Sequence, residues 1–180
     1  MLSRKAVFRL LLAMGLIAVL LFSPLPWQSS TRIHSEVTIQ RPPSEVFEYV
    51  STPGNWPAWH PSSLGVQGAT DHSLQVGEQV TEAFRVAGRE GTIVWTVTDR
   101  RAPSSWSIDG LIEGRQAGTV TYTLTPSQTG TLFKRDFVYQ APTLLFSILN
   151  WATLRNRIDA ESTEAVTRLK ARLEGGATTN

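Results

Sequence analysis

Between Val80 and Tyr139 the chain alternates apolar and polar residues in five successive stretches, and beyond Pro142 the period becomes that of a helix. Val80, Glu82, Phe84 and Val86 share one side of the first stretch, then Ile93, Trp95 and Val97, then Trp106 and Ile108. Val120, Tyr122 and Leu124 follow, and finally Phe133, Arg135, Phe137 and Tyr139. Strand side chains repeat every second residue, so each stretch has one face to bury. Turn signals at Ala87-Gly88, at Arg101 to Pro103, at Gln116 to Gly118 and at Gln128 to Gly130 separate the stretches. Strands joined by such short turns form an antiparallel meander. Residues 143–174 read as one long helix kinked near Asn150. Ile158, Ser162, Val166, Leu169 and Leu173 form its apolar stripe, and Gly175-Gly176 closes it.

Upstream, residues 32–39 alternate with Ile33, Ser35, Val37 and Ile39 on the buried side, which predicts a further strand. Pro43 and Ser44 open a short helix whose apolar side is Val46, Phe47 and Val50. Pro53-Gly54-Asn55 ends it, and Trp56-Pro57-Ala58-Trp59 is long enough for a single helical turn.

At 180 residues, 41% hydrophobic and 18% charged, the chain holds one domain and a short extra segment. The absence of cysteine excludes disulfides, thiol catalysis and thiolate-bound metal. The pI near 9.3 points to an acidic partner until the charges are located. Setting Arg4, Lys5 and Arg9 aside from the 17 basic residues leaves 14 against 15 acidic ones, so the folded part carries no nucleic-acid footprint. His34, His60 and His72 lack metal-ligand spacing. No phosphate-cradling loop, nucleophile elbow or dinucleotide fingerprint occurs, so neither metal nor cofactor is expected.

Those three N-terminal charges precede an uninterrupted apolar run at residues 10–22, LLLAMGLIAVLLF, which Pro24 and Pro26 terminate. A bilayer core needs roughly 20 helical residues, which residues 6–25 supply if Arg9 snorkels. No small-x-small cleavage site follows. The expectation is therefore an uncleaved signal anchor in the inner membrane, with Trp27 at the outer interface and the domain on the periplasmic side. A cleaved secretory signal and a buried N-terminal helix are the alternatives. The implied division is an anchor and tether at 1–30, a domain at 31–175 and a disordered tail at 176–180.

Glu82 and Arg135 stand out because alternation puts both on faces otherwise built from Val80, Phe84, Phe133 and Phe137. A charge taken from water loses hydration worth several kcal/mol and needs a partner. Arg135 is thus a candidate for a ligand carboxylate or phosphate and Glu82 for an acid/base; a mutual ion pair or a one-residue register shift toward solvent is the alternative. Trp95, Trp106, Tyr122 and Tyr139 on the same side either line a ligand space or fill core. His60, beside Trp59 and Pro61, is either a general base or a helix-end residue packed on tryptophan. Asp99 to Arg101 and Arg155 to Arg157 read as solvated charges. Anionic headgroups are an alternative partner for Arg155 and Arg157, which follow the apolar stretch 144–151.

The element order resembles the START-like, or SRPBCC, superfamily, and in particular its polyketide cyclase/dehydrase branch. The resemblance covers residues 32–174. It rests on Pro43-Ser44-Glu45-Val46-Phe47 with residues 55–61 (NWPAWHP), on residues 91–97 (GTIVWTV), on Pro103 to Trp106, on residues 118–126 (GTVTYTLTP), on Gly130-Thr131 and on residues 169–174 (LKARLE). It implies an α+β helix-grip fold, a curved antiparallel sheet wrapped around the long C-terminal helix and capped by two short helices. It also implies an apolar cavity between sheet and helix that takes a lipid, a polyketide or another hydrophobic small molecule. The expected ligand-binding residues are Trp56, Trp59, Phe84, Trp95, Trp106, Tyr122, Arg135, Phe137 and Tyr139. Binding without chemistry is the leading expectation. The alternatives are a cyclase or dehydratase working through Glu82, His60 or Tyr122, and a membrane-side module for protein interaction.

Overall fold

The computed structural model describes residues 4–23, 30–141 and 143–175. Trp27, most of the tether and the tail at 176–180 lie outside the described residues. The first element is α1 (Arg4–Phe22), whose 19 residues include none that is buried. At about 1.5 Å per residue it reaches close to the ~30 Å hydrocarbon core of a bilayer, and by length and composition it is apolar enough to cross one.

Strand β1 (Ser30–Ile39) leads to α2 (Pro43–Ser51), a short 3₁₀ turn (Pro53–Asn55) and α3 (Trp56–Trp59). Pro43 begins α2 because a first-turn residue has no intrahelical partner for the amide proton it lacks. Six strands follow: β2 (Ser63–Gly68), β3 (Gln79–Val86), β4 (Arg89–Arg101), β5 (Ser105–Ile112), β6 (Arg115–Ser127) and β7 (Gly130–Gln140). All pair antiparallel in the order β1-β7-β6-β5-β4-β3-β2.

Three expectations need correction. Strand β2 has no counterpart in the sequence reading, because two glycines and a register shift between Ser63 and Gly65 break its alternation. The β5–β6 turn falls at Glu113 and Gly114, both at positive φ, and not at Gln116 to Gly118. The single C-terminal helix is three pieces: α4 (Leu144–Leu149), a π-helical turn (Asn150–Leu154) and α5 (Arg155–Gly175). Asn150 explains the break. Its side-chain amide donates to Thr31 Oγ1 at 2.9 Å and its oxygen accepts from Tyr139 Oη, which fastens the turn to β1 and β7.

The sheet curls until both of its edges reach α5. From the β1 edge, Ser35 Oγ donates to Ser162 Oγ at 2.9 Å. From the opposite edge, Ser62 Oγ and the Ala87 amide donate to the two oxygens of Glu161 at 2.8 and 2.9 Å. Consecutive residues of one helix thus hold the two ends of a seven-stranded sheet, which is the helix-grip arrangement. Beyond this clamp Ala165, Val166, Leu169 and Leu173 are buried, whereas the first turns of α5 bury nothing.

One end of the roll is plugged. Val46, Phe47 and Val50 of α2 and Trp56 and Trp59 of α3 are buried there. Trp59 meets Tyr122 and Phe133 edge-on with ring centroids 6.2 and 6.5 Å apart, and Tyr122 stacks on Trp106 at 5.4 Å. At the other end β1 begins and β7 finishes, beside the β3–β4 and β5–β6 turns. This end is only partly closed: Phe84, Ile112, Ala117 and Phe137 are part-buried. It is also where the chain arrives from α1 and departs into α4.

Leu169 is fully buried beneath the sheet, and Leu169→Ala is expected to lower stability by about 2–5 kcal/mol in urea unfolding. A loss below about 1 kcal/mol, the range of surface sites, would contradict the placement of α5 as the central rod.

Candidate functional site

The interior between the sheet and α5 carries a polar group of residues that alternation alone turns inward. Glu82 on β3 and Arg135 on β7 are 9% and 6% exposed, so neither is shifted to the solvent face. They do not form the ion pair that was the alternative reading. No ion pair within 4.0 Å among the described residues contains either one. Glu82 Oε2 accepts from the Trp95 indole at 2.7 Å. Arg135 Nη1 donates to Ser162 Oγ at 2.8 Å, and its guanidinium sits 5.6 Å above the Phe137 ring.

Arg135 therefore sits inside the protein with the hydroxyls of Ser162 and Tyr122 and an aromatic face for company. Its Nε is sealed from solvent with no hydrogen-bond partner, as are Trp59 Nε1 and His60 Nδ1. Buried polar atoms are nearly always satisfied. Three such atoms, on Arg135, Trp59 and His60, are unsatisfied here.

The charges here feel each other without touching. Burial raises the Glu82 carboxyl above its usual range, against the pull of Ser63, the Trp95 indole and the Arg135 charge. His60 is held well below its ordinary value of 6.5 by burial first and by the Arg135 charge second. Burial pushes the Tyr122 phenol up to about 12, although Arg135 draws it down. The set thus holds a carboxyl inclined to stay protonated, a neutral imidazole, a neutral phenol and one fixed cation, the kind of separated titration found at proton-transfer sites.

The remaining candidates divide into two groups. Trp56, Trp59, Trp106 and Tyr122 belong to the aromatic plug, with Trp56 and Trp106 edge-on at 6.2 Å. His60 closes α3 and lies edge-on to Trp59 at 5.4 Å. Trp95, Phe84, Phe137 and Tyr139 lie toward the half-open end. There the rings recline on bare backbone. A Cβ on Gly110 would meet the Trp95 ring at 2.6 Å, and one on Gly118 would meet Phe137 Cε2 at 2.7 Å. Gly110 and Gly118 face each other across β5 and β6, so two large side chains lie flat along the sheet there.

Sequence reasoning missed Ser162, Ser35 and Ser63 as members of this group. Ser162 did leave a trace, as the one polar residue in the apolar stripe of α5. Arg100, read as one of three solvated charges, is half-buried with its guanidinium 5.0 Å over Phe47, whereas Asp99 and Arg101 pair at the surface. His34 and His72 lie beside carboxylates at the surface, His34 next to Ser35 in β1 but on the opposite face of the sheet. The described residues contain no cluster of three metal-ligating side chains. A surface concavity of about 480 Å³ lies elsewhere, between α4 and the start of α5.

Comparison with known proteins agrees with this architecture. The model of the family described as polyketide cyclase / dehydrase and lipid transport matches residues 30–174. No curated protein matches the chain. Among solved structures, MLL2253 from Mesorhizobium loti is similar at 16% identity and a TM-score of 0.61, over 83% of this chain and 100% of that one. Ms6760 from Mycobacterium smegmatis is similar at 19% and 0.60, over 85% and 99%. The di-domain ARO/CYC StfQ from the steffimycin biosynthetic pathway is similar at 12% and 0.62, over 83% of this chain and 53% of that one. At these identities the likeness is one of fold.

The two titratable residues impose opposite pH dependences. His60 binds fewer protons folded than unfolded, so stability falls as pH drops below 6.5 toward its lowered folded value. Glu82 binds more, so its contribution is complete below 4.5 and is lost as pH rises through its raised value. Relative to wild type, His60→Gln should therefore gain stability as pH falls below 6.5, and Glu82→Gln as pH rises above 4.5. Difference curves from urea titrations sloping the same way would contradict this electrostatic picture.

Proposed function

Because the chain belongs to the polyketide cyclase/dehydrase and lipid transport family, we propose that it is a membrane-anchored binding module for an amphipathic acid. The ligand's apolar body lies along Phe84, Trp95 and Phe137, and its acid group reaches Arg135. The observation that carries this reading is the buried guanidinium without a counter-ion. A ligand carboxylate or phosphate supplies the missing charge and the acceptor for Nε, a bidentate interaction to which arginine is suited.

The source of the ligand follows from topology. The half-open end of the roll lies where the chain comes in from α1, so a ligand leaving the bilayer need not cross the plugged end. In this reading α1 is an uncleaved anchor with its positive flank in the cytoplasm, and the domain stands on the periplasmic side.

A second reading uses the same residues for chemistry. Glu82, with its carboxyl raised by burial, His60 and the Tyr122 phenol are the titratable groups of this interior, and a cyclase- or dehydratase-type proton transfer would run through such groups. It predicts turnover that Glu82→Gln abolishes while ligand retention survives. The binding reading predicts retention with no change in the ligand.

Arg135→Met separates function from stability. Replacing a buried, unpaired charge by an apolar side chain of similar length is expected to stabilise the protein by about 1–4 kcal/mol. The same change should abolish retention of acidic lipid by the full chain, read by native mass spectrometry and solvent extraction. A variant that is stabilised and still carries the acid would refute the role of Arg135; a wild-type chain that carries no acidic amphiphile would refute the binding reading itself.

A further inference from the structure

The concavity between α4 and α5 plays no part in the interior site. Its lining includes Thr31, Ser147, Asn150 and Trp151, together with Arg155 and Asp159 one helical turn apart. Arg155 and Asp159 both line it without pairing with each other within 4.0 Å. Ser147 Oγ is sealed from solvent and has no partner. The cleft thus brings one positive and one negative side chain together within about 480 Å³, beside an Asn150 amide already bonded to Thr31 and Tyr139.

Its rim is apolar. Leu144, Ile148 and Leu149 are exposed, and Trp151 is 86% exposed. A tryptophan so fully in solvent is unusual on a soluble face and usual at a membrane interface. What covers this rim follows from its neighbour: α1, which buries none of its own apolar surface, packs against α4. A bilayer that surrounds α1 therefore reaches the α4 rim. Thr31, on the cleft wall, lies at the start of β1, close to the point where the chain arrives from α1.

We propose that this cleft seats the headgroup of an aminophospholipid from that bilayer, while Leu144, Ile148, Leu149 and Trp151 enter the interface around it. The phosphate accepts from Arg155 and the ammonium donates to Asp159. A headgroup carrying both charges suits a cleft whose own charges cancel, and a purely anionic headgroup would face Asp159 uncompensated. The π-helical turn sets this geometry, since Asn150 is fastened to Thr31 and Tyr139 and holds Trp151 outward. The surface keeps the half-open end of the roll against the bilayer. The inference rests on α1 spanning that bilayer, and it does not depend on what the interior binds.

The cysteine-free chain permits single spin labels in the full-length protein, placed through Ile17→Cys, Trp151→Cys and Thr163→Cys in vesicles of phosphatidylethanolamine and phosphatidylcholine. The label at 17 should lie in hydrocarbon, the label at 151 about 5–10 Å within the headgroup–acyl boundary, and the label at 163 in water. A label at 151 as open to an aqueous nickel chelate as that at 163, with 17 embedded, overturns the docking face and leaves the anchor standing. A label at 17 in water overturns both. Native mass spectrometry from the same mixed vesicles should show phosphatidylethanolamine retained over phosphatidylcholine, with the preference lost in Arg155→Gln and in Asp159→Asn. An undiminished preference in both variants overturns the headgroup site. Retention that depends on Arg135 should be unchanged by either substitution.

Discussion

Two adjacent residues of α5 hold the molecule in its shape. Glu161 accepts from the loop before β2 and from the β3–β4 turn, and Ser162 accepts from β1. A seven-stranded antiparallel sheet twists in any case, but only attachment at both edges converts twist into a closed roll around a helix. The interior follows from that closure. Without it, Glu82 and Arg135 would stand on one open face with three strands between them, and the aromatic rings of β4, β6 and β7 would have nothing to enclose.

The roll is filled unevenly, and this bears on function. Tryptophan and tyrosine rings from α3, β5 and β6 pack against one another at the capped end, so no room for a ligand is needed there. Toward the opposite end, glycines at 110 and 118 let rings lie flat, and the first turns of α5 bury no residue. Between these regions sit the charge of Arg135 and the polar atoms left without partners. An apolar approach ending at a fixed cation has the polarity of a fatty acid or a lipid phosphate, head inward. The same closure makes the ends of the roll inequivalent with respect to α1.

Much of the fold was legible because strand alternation survives without context. It assigned Ile33, Ser35, Trp95, Tyr122 and Arg135 to the inner face, and the structure buries all five. What alternation cannot carry is partnership. Residues 82 and 135 reveal their orientation by parity, but whether they touch depends on how far the sheet curls, which depends in turn on Glu161, an ordinary-looking acid at a helix surface. Strand β2 was illegible for a different reason: glycines and an irregular register erase the period. The break at Asn150 was half legible. The position was evident from a polar residue in an apolar run, whereas the π-helical geometry arises from bonds to Thr31 and Tyr139, over a hundred residues and eleven residues upstream in the chain respectively.

The account turns on Arg135 being a cation that awaits an acid. The most direct measurement is the Arg135 Nε–H resonance of the full chain in bicelles, titrated with a long-chain carboxylate and, separately, with the alcohol of equal length. The carboxylate should shift that resonance saturably and the alcohol should leave it in place. A resonance indifferent to both, or moved equally by both, would contradict the claim that this interior recognises an acidic amphiphile.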